Sequence, residues 1–159
     1  MKNLKFLVIS VIIVLVLVSC NQNKPQYCVQ VKENELNIVD YKDSEGVKAI
    51  FFYDKNKILY KFIVYGSTDY GEYGEDIIAS AISALSINTV NSISEYTSVK
   101  FENQSSELYG KPYLDCCVNT FESNEEKDQY ILLVKSLLLG LTSIEEEYGS
   151  EYLEVIEVY

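Results

Sequence analysis

The stretch GSTDYGEYGEDIIASAISAL, residues 66–85, decides the fold because it joins a glycine-rich loop to the start of an amphipathic helix. Asp76 stands where its carboxylate can cap the first helical turn. After it, apolar residues recur at helical spacing: Ile78, Ile82, Leu85, Ile93 and Tyr96. We therefore predict a helix over residues 76–96. The preceding loop, rich in glycine, tyrosine and carboxylate, is typical of a segment that surrounds a ligand or a reaction.

The segments around this helix are rich in β-forming residues. VKAIFFY and ILYKFIVY, residues 47–53 and 58–65, are separated by the polar DKNK and predict a hairpin. ELYGKPYLDCCVNTF, residues 107–121, predicts one strand entered by a loop. The alternating YLEVIEVY, residues 152–159, predicts a final strand.

A second helix follows the capping box Ser123-Asn124-Glu125-Glu126 and ends at Gly149. Leucines off its apolar stripe make it apolar over much of its circumference, so we expect the sheet to cover one side and a partner subunit the other. Together, these elements predict an α+β domain in two layers, a mainly antiparallel sheet with two helices on one face.

The N-terminus has the features of an export signal. Lys2 and Lys5 precede an apolar run from Phe6 to Val18 that is shorter than the roughly 20 residues a spanning helix needs. The following Leu17-Val18-Ser19-Cys20 resembles a bacterial lipobox, in which the cysteine becomes the lipid-bearing first residue. An uncleaved signal anchor is the alternative.

Four segments follow from this interpretation. We expect a signal peptide at residues 1–19, a lipidated tether at 20–26, an N-terminal extension with strand character at 27–46 and the main domain at 47–159. Acyl chains on Cys20 would hold the domain at the cell membrane, outside the cytoplasm.

The net charge limits the classes of partner. The chain carries −11 at neutral pH, and removal of Lys2 and Lys5 with the signal leaves −13. Nucleic acid and anionic bilayers are recognised by clustered Lys and Arg, so neither is expected as a partner. A basic ligand fits this charge better.

The remaining cysteines leave two alternatives open. Neighbours on a strand point to opposite faces, so Cys116 and Cys117 cannot face the same partner. One of them pairs with Cys28 in an oxidising compartment, or all three are buried free thiols. The chain has no histidine and no zinc-like cysteine spacing, so we predict neither a metal nor a cofactor.

Two separated stretches carry a family resemblance. YGEYGEDIIASAISAL, residues 70–85, and LLLGLTSIEEEYGSEYLEVIE, residues 137–157, resemble the ribosomal-processing cysteine protease family, Prp. The resemblance covers about residues 47–158. It implies a cytoplasmic, homodimeric enzyme that trims an N-terminal extension from a large-subunit ribosomal protein.

The resemblance also implies where catalysis would occur. The family pattern places a His directly after the glycine that corresponds to Gly66, and a nucleophilic Cys three residues beyond the Asp that corresponds to Asp76. A cysteine in the first helical turn gains thiolate character from the helix dipole, and the imidazole supplies the base. This chain has Ser67 and Ala79 at those positions.

Other side chains near the loop do not restore this chemistry. Ser67, Ser80 and Ser83 offer hydroxyls, but a serine needs a base, and the nearest lysine, Lys61, belongs to the preceding strand. We interpret Ser80 and Ser83 as small helix residues packing near the sheet. The carboxylates do not have calcium-loop spacing, and apart from the cap at Asp76 they are either solvated or gather a basic peptide.

The sequence therefore predicts an inactive relative of the protease, displayed as a lipoprotein, that binds a peptide or protein or serves as a dimeric scaffold. The expected binding residues lie in the loop: Gly66, Tyr70, Gly71, Tyr73, Gly74 and Asp76. The two tyrosines either stack on a ligand or pack on their own scaffold. The alternative is a cytoplasmic peptidase that still acts on a ribosomal protein.

Overall fold

The computed structural model describes Cys28, residues 43–72 and residues 74–159. The predicted signal peptide, the tether and, apart from Cys28, the predicted strands within residues 27–41 lie outside the described residues. Within the described part, the elements run β1 (Val47–Tyr53), β2 (Leu59–Gly66), α1 (Ile77–Tyr96), β3 (Lys100–Leu108), β4 (Lys111–Thr120), α2 (Asn124–Tyr148) and β5 (Leu153–Val158).

The described strands form one sheet in the order β3-β4-β2-β1-β5. Three of the four pairings are antiparallel, and β1 with β5 is parallel. The connection to β5 passes through α2, as a parallel pair requires a crossover. The predicted α+β class, with a mainly antiparallel sheet, is confirmed.

The prediction of a single strand over residues 107–121 was wrong, because this region contains the turn of a second hairpin. Glu107 and Leu108 end β3, which pairs with β4 from Lys100↔Thr120 to Leu108↔Lys111. Tyr109 and Gly110 form the turn with φ of 52° and 75°, the left-handed values that tight hairpin turns require. Most of β3 is polar and exposed, so its sequence lacks the apolar alternation that predicts a strand.

Helix α1 begins and ends where the sequence predicts. Its inward row, including Ile78, Ile82 and Ile93, is buried against the sheet, whereas Tyr96 is exposed, contrary to its place in the predicted stripe. Among the described residues, this is the helix long and apolar enough to cross a bilayer by length and composition. Its buried row instead fits the core helix of a globular domain.

Helix α2 also has the predicted ends. The Glu126 amide donates to Ser123 Oγ at 3.1 Å, and the Gly149 amide donates to the Glu145 carbonyl at 2.9 Å. Both helices pack on the same face of the sheet, where α2 buries Tyr130, Val134, Leu137 and Leu141. Two leucines of α2 point away from the sheet into solvent: Leu132 is 71% exposed and Leu139 is 69% exposed.

The cysteines lie on the two faces of the sheet as strand geometry predicts. Cys116 is a buried free thiol in the core under the helices. Cys117 points to the opposite side, here called the second face, and forms a disulfide with Cys28 across 89 residues of sequence. Of the two alternatives, pairing is therefore found for Cys117 and the free thiol for Cys116.

Candidate functional site

A pocket of about 220 Å³ lies between the first half of α1, the end of β2 and the β3–β4 hairpin. Ser67 and Ala79, the two positions that the resemblance assigns to catalysis, both line it. The fold therefore brings these residues together at one cavity although they are twelve positions apart. Of the fifteen described residues that line it, six are serine or threonine, and among these fifteen Tyr113 alone has an ionisable side chain.

Close backbone packing at Gly66 directs the loop toward this pocket. Gly66 has φ of 118°, and a Cβ there would lie 2.3 Å from the Gly46 carbonyl oxygen. Only glycine fits such an approach without moving the backbone. The chain thus turns out of β2 at a fixed point and places Ser67 and Thr68 on the pocket wall.

Asp76 holds the two ends of the loop together. Its Oδ1 accepts from the Ala79 amide at 2.8 Å, which caps α1 as predicted. Its Oδ2 accepts from Thr68 Oγ1 and from the Tyr70 amide. One carboxylate therefore fixes the start of the helix and the start of the loop relative to each other.

These contacts change the acidity of Asp76. Partial burial raises the pKa of this carboxyl, but hydrogen bonds from Ala79, Thr68, Tyr70 and Gly71 outweigh that effect and hold it below the ordinary 3.8. Asp76 is therefore ionised at neutral pH, and both of its carboxylate oxygens accept hydrogen bonds.

Among the described residues, the hydrogen-bond acceptors of the serine hydroxyls near the pocket are a carboxylate and a backbone carbonyl, not a lysine or an imidazole. Ser67 Oγ donates to Asp69 Oδ1 at 2.9 Å, in the exposed loop. Ser80 is exposed and donates to the Asp76 carbonyl, so the interpretation that it packs near the sheet was wrong. Ser83 is also exposed, at the pocket wall rather than in the core.

The remaining candidates for a base or a nucleophile lie elsewhere. Lys61 is on the second face, where its Nζ is 3.0 Å from Asp115 Oδ2. Cys116 lies in the core, and its burial, reinforced by the charge of Asp115, raises the pKa of the thiol to about 12. A lysine in an ion pair and a neutral buried thiol cannot replace the imidazole and thiolate of a cysteine protease.

Ser86 is a pocket residue that sequence reasoning missed. It is 3% exposed, it lines the pocket, and its Oγ has no hydrogen-bond partner among the described groups. A buried hydroxyl without a partner is costly, and it is an available donor or acceptor for a bound molecule. Its spacing to Ala79, Ile82 and Ser83 along one face of α1 was the signal that could have identified it.

The loop residues expected to bind a ligand have different surroundings. Tyr70 packs edge-on against Tyr152 and Tyr148, with ring centres 5.1 and 6.2 Å away, while remaining 45% exposed. Gly71 and Gly74 lie in the exposed part of the loop. Tyr73 lies outside the described residues. Of the five predicted binding residues that the structure describes, Gly66 alone lines the pocket.

Comparison with known proteins matches the described domain. A family model for the cysteine protease Prp matches residues 47–153. The ribosomal processing cysteine protease Prp of Staphylococcus aureus is 30% identical over 91 residues, which are 55% of this chain and 76% of that protein.

Solved structures share the fold. The S. aureus ribosomal processing protease Prp with a covalently linked product peptide superposes with a TM-score of 0.58 at 25% identity, over 70% of this chain and 98% of that one. The same protease with a substrate peptide gives 0.55 at 25% identity and the same coverage. A Streptococcus mutans protein gives 0.59 at 28% identity, over 72% and 95% of the two chains.

The role of Asp76 is testable through its charge. Asp76→Ala should lower the free energy of unfolding by about 1 kcal/mol at neutral pH, because the cap of α1 is lost. The pKa of Asp76 is lower in the folded state than in the unfolded state. The stability that its charge contributes is therefore fully present above the unfolded pKa of 3.8, and it is lost as the pH falls through the folded pKa. The difference in unfolding free energy between variant and wild type, measured in urea, should therefore be smaller at about pH 3 than at about pH 7.

Glu75→Ala, a change at the exposed neighbour, is the control. An equal difference in unfolding free energy at both pH values would contradict the role of the Asp76 charge.

Proposed function

The chain belongs to the cysteine protease Prp family, and we propose on that basis that its pocket binds a peptide without cleaving it. The observation that supports this most is the joint position of Ser67 and Ala79 on the wall of one open pocket. Two solved relatives carry a product or a substrate peptide. In this chain an open pocket lies at the two positions that the family pattern assigns to catalysis, and those positions hold a serine and an alanine.

The side chains available support the proposed lack of peptidase chemistry. Cysteine protease catalysis needs a thiolate and a group that accepts and returns a proton. The chain contains no histidine, and alanine provides no nucleophile at position 79. Ser67 has a hydroxyl, but its described partner is Asp69, and no described lysine or imidazole reaches it.

The pocket lining suggests how a peptide would be held. The hydroxyls of the lining can hydrogen-bond to the amides and carbonyls of a peptide backbone. The small apolar side chains beside them do not select a charged side chain inside the pocket. Outside it, Asp69, Glu72 and Glu75 are exposed in the adjoining loop. These carboxylates favour a peptide with basic residues next to the segment that enters the pocket.

Binding is tested with the substrate peptide of the staphylococcal relative and the full chain purified in detergent. Wild type should bind it, and Ser86→Ala should weaken binding about 2- to 10-fold, the loss expected for one hydrogen bond.

The same variant should melt at an equal or higher temperature, because it no longer buries an unpaired hydroxyl. Ser94→Ala, at an exposed position of α1, is the matched control in calorimetry and thermal melting. Equal affinity in all three proteins would contradict the role of Ser86, and no binding by wild type would contradict the proposed function.

The same peptide tests for cleavage by mass spectrometry. Wild type should leave it intact, and Ser67→His combined with Ala79→Cys should introduce measurable hydrolysis, since it restores both family groups at one pocket. Ala79→Cys alone is the control. Cleavage by wild type that survives Ser67→Ala and Ser80→Ala would support the alternative, a peptidase acting on a ribosomal protein extension.

We further propose that the domain is exported and anchored by lipid on Cys20. The apolar N-terminal run and the lipobox-like residues before Cys20 favour this location. The Cys28–Cys117 disulfide supports it independently, because such bonds persist outside the reducing cytoplasm. A ribosomal protein made in the cytoplasm would then be out of reach of the pocket.

Intact mass of the membrane-extracted protein tests this location. We expect the loss of residues 1–19, the addition of acyl chains at Cys20 and a mass lower by about two hydrogens for the disulfide. A Cys20→Ser variant should remain unprocessed and lack the lipid mass. A full-length, unmodified chain in the cytoplasmic fraction would contradict the proposal.

A homodimer formed through α2 is the assembly we propose. Leu132 and Leu139 project from this helix on the side away from the sheet, and their exposure is unusual for leucines on a long helix. Sedimentation of the detergent-solubilised protein should show a dimer that Leu132→Glu with Leu139→Glu converts to monomer. A wild-type monomer at about 100 µM would contradict it.

A further inference from the structure

Strand β3 lies at one edge of the sheet. Within the described part of the chain it pairs with β4 alone, and residues 102–107 are all exposed. The backbone N–H and C=O groups on its outer side therefore face solvent. Groups of this kind can pair with the backbone of an added peptide strand.

The turn between β3 and β4 determines which residues of β3 point outward. Tyr109 and Gly110 both have positive φ, so the hairpin has a two-residue turn. Leu108 and Lys111 at the two ends of this turn therefore form a hydrogen-bonded pair. Along an antiparallel ladder, hydrogen-bonded pairs alternate with pairs that are not bonded.

The alternation can be followed back from the turn. The register is regular from Phe101 to Leu108, so every second residue before Leu108 bonds to β4. Pro112, opposite Glu107, agrees with this order, because at a non-bonded position its missing N–H costs no bond to β3. The residues whose N–H and C=O groups point to the open edge are Asn103, Ser105 and Glu107.

The opposite end of the sheet gives the same assignment. The Val47 amide donates to the Tyr152 carbonyl at 2.9 Å, so the backbone of Val47 points toward β5. Alternation carried through the registers of β1, β2 and β4 then directs the backbone of Tyr113 and Asp115 toward β3. Their partners Ser106 and Gln104 are thus the bonded residues of β3, and the residues between them point outward.

The outward-pointing residues have their side chains on the side of the pocket. Asn103 lies opposite Cys116, which is in the core under the helices, and Ser105 lies opposite Leu114. Ser105 and Leu114 both line the pocket. The open edge and the pocket are therefore continuous at Ser105.

Strand β3 lacks the features that usually protect an edge strand from further pairing. Its nine residues, Lys100–Leu108, include no proline, and its one lysine is at the first position. Its register shift also lies at that end, between Lys100 and Phe101. Bulges, prolines and lysines along an edge hinder the addition of a strand, so the rest of β3 is suited to accept one.

We propose that β3 receives a peptide as an added strand, bonded to the outward groups of Asn103, Ser105 and Glu107 and placing one side chain in the pocket beside Ser105. The inference rests on the proposed peptide-binding function and specifies how the peptide is held. An added strand lies about 5 Å from β3, and its side chains alternate between the two faces of the sheet. The partner is therefore an extended segment without proline at the paired positions.

Calorimetry with backbone-methylated forms of the staphylococcal substrate peptide tests this arrangement. One amide is methylated at a time, and each form is titrated into the full wild-type chain in detergent. Methylation at alternate positions should weaken binding at least about tenfold, because a donor to β3 is lost and the methyl group enters the ladder. Methylation at the intervening positions should leave the affinity within about twofold of the unmodified peptide.

A change in the protein tests the same ladder from the other side. Asn103→Pro removes one outward N–H without removing a bond to β4, and edge strands tolerate proline at such a position. It should weaken binding of the unmodified peptide about 2- to 10-fold. Asn103→Ala keeps the N–H and is the matched control, which should bind as wild type does. If Asn103→Pro does not fold, the methylation series on wild type decides.

The outcomes distinguish this inference from the proposed function. No binding of the unmodified peptide by wild type would overturn both. Binding that does not depend on the methylated position would overturn the added strand and leave peptide binding at the pocket in place. A wild-type dimer that Asn103→Pro dissociates and the peptide does not would also overturn it, since a second copy of the chain would then occupy the edge.

Discussion

The carboxylate of Asp76 is the contact on which the candidate site depends. It accepts from the Ala79 amide in the first turn of α1 and, at the same time, from the Thr68 hydroxyl and the Tyr70 amide in the loop that leaves β2. Without it, the loop and the helix would be joined only by an exposed segment rich in glycine. With it, Ser67 and Ala79 are held on one pocket wall, so the geometry of the site is set by a capping interaction rather than by its catalytic positions.

The features that shape the site do not require catalytic side chains. The glycine at the end of β2 is required by the Gly46 carbonyl, and Asp76 is required by the helix end. Both constraints concern folding, and neither depends on a nucleophile or a base. Substitution at positions 67 and 79 costs the fold little, because both side chains lie at an open pocket rather than in the core.

The sequence predicted those parts of the fold that have strong local signals. Helix α1 has a cap and a periodic row, α2 has a capping box and a terminal glycine, and β1 and β2 are apolar. Strand β3 was missed because its polar residues gain their structure from pairing with β4, a non-local effect. At the site, Gly66 and Asp76 were predictable from turn and cap chemistry. The helical spacing of Ser86 could have placed it beside Ala79, but the lack of a partner for its hydroxyl could not be predicted, because it depends on the packing around it.

The position of the disulfide has a consequence for how the domain sits at a surface. A fully extended chain from Cys20 to Gly46 would span about 90 Å. The disulfide at Cys28 leaves only the eight residue steps from Cys20 to Cys28 between the lipid position and the domain, a maximum of about 28 Å. This short segment ends at Cys28, which is bonded to Cys117 on the second face. If Cys20 carries the proposed acyl chains, this face would therefore lie toward the bilayer, and the pocket, which is on the side of the helices, would open away from it.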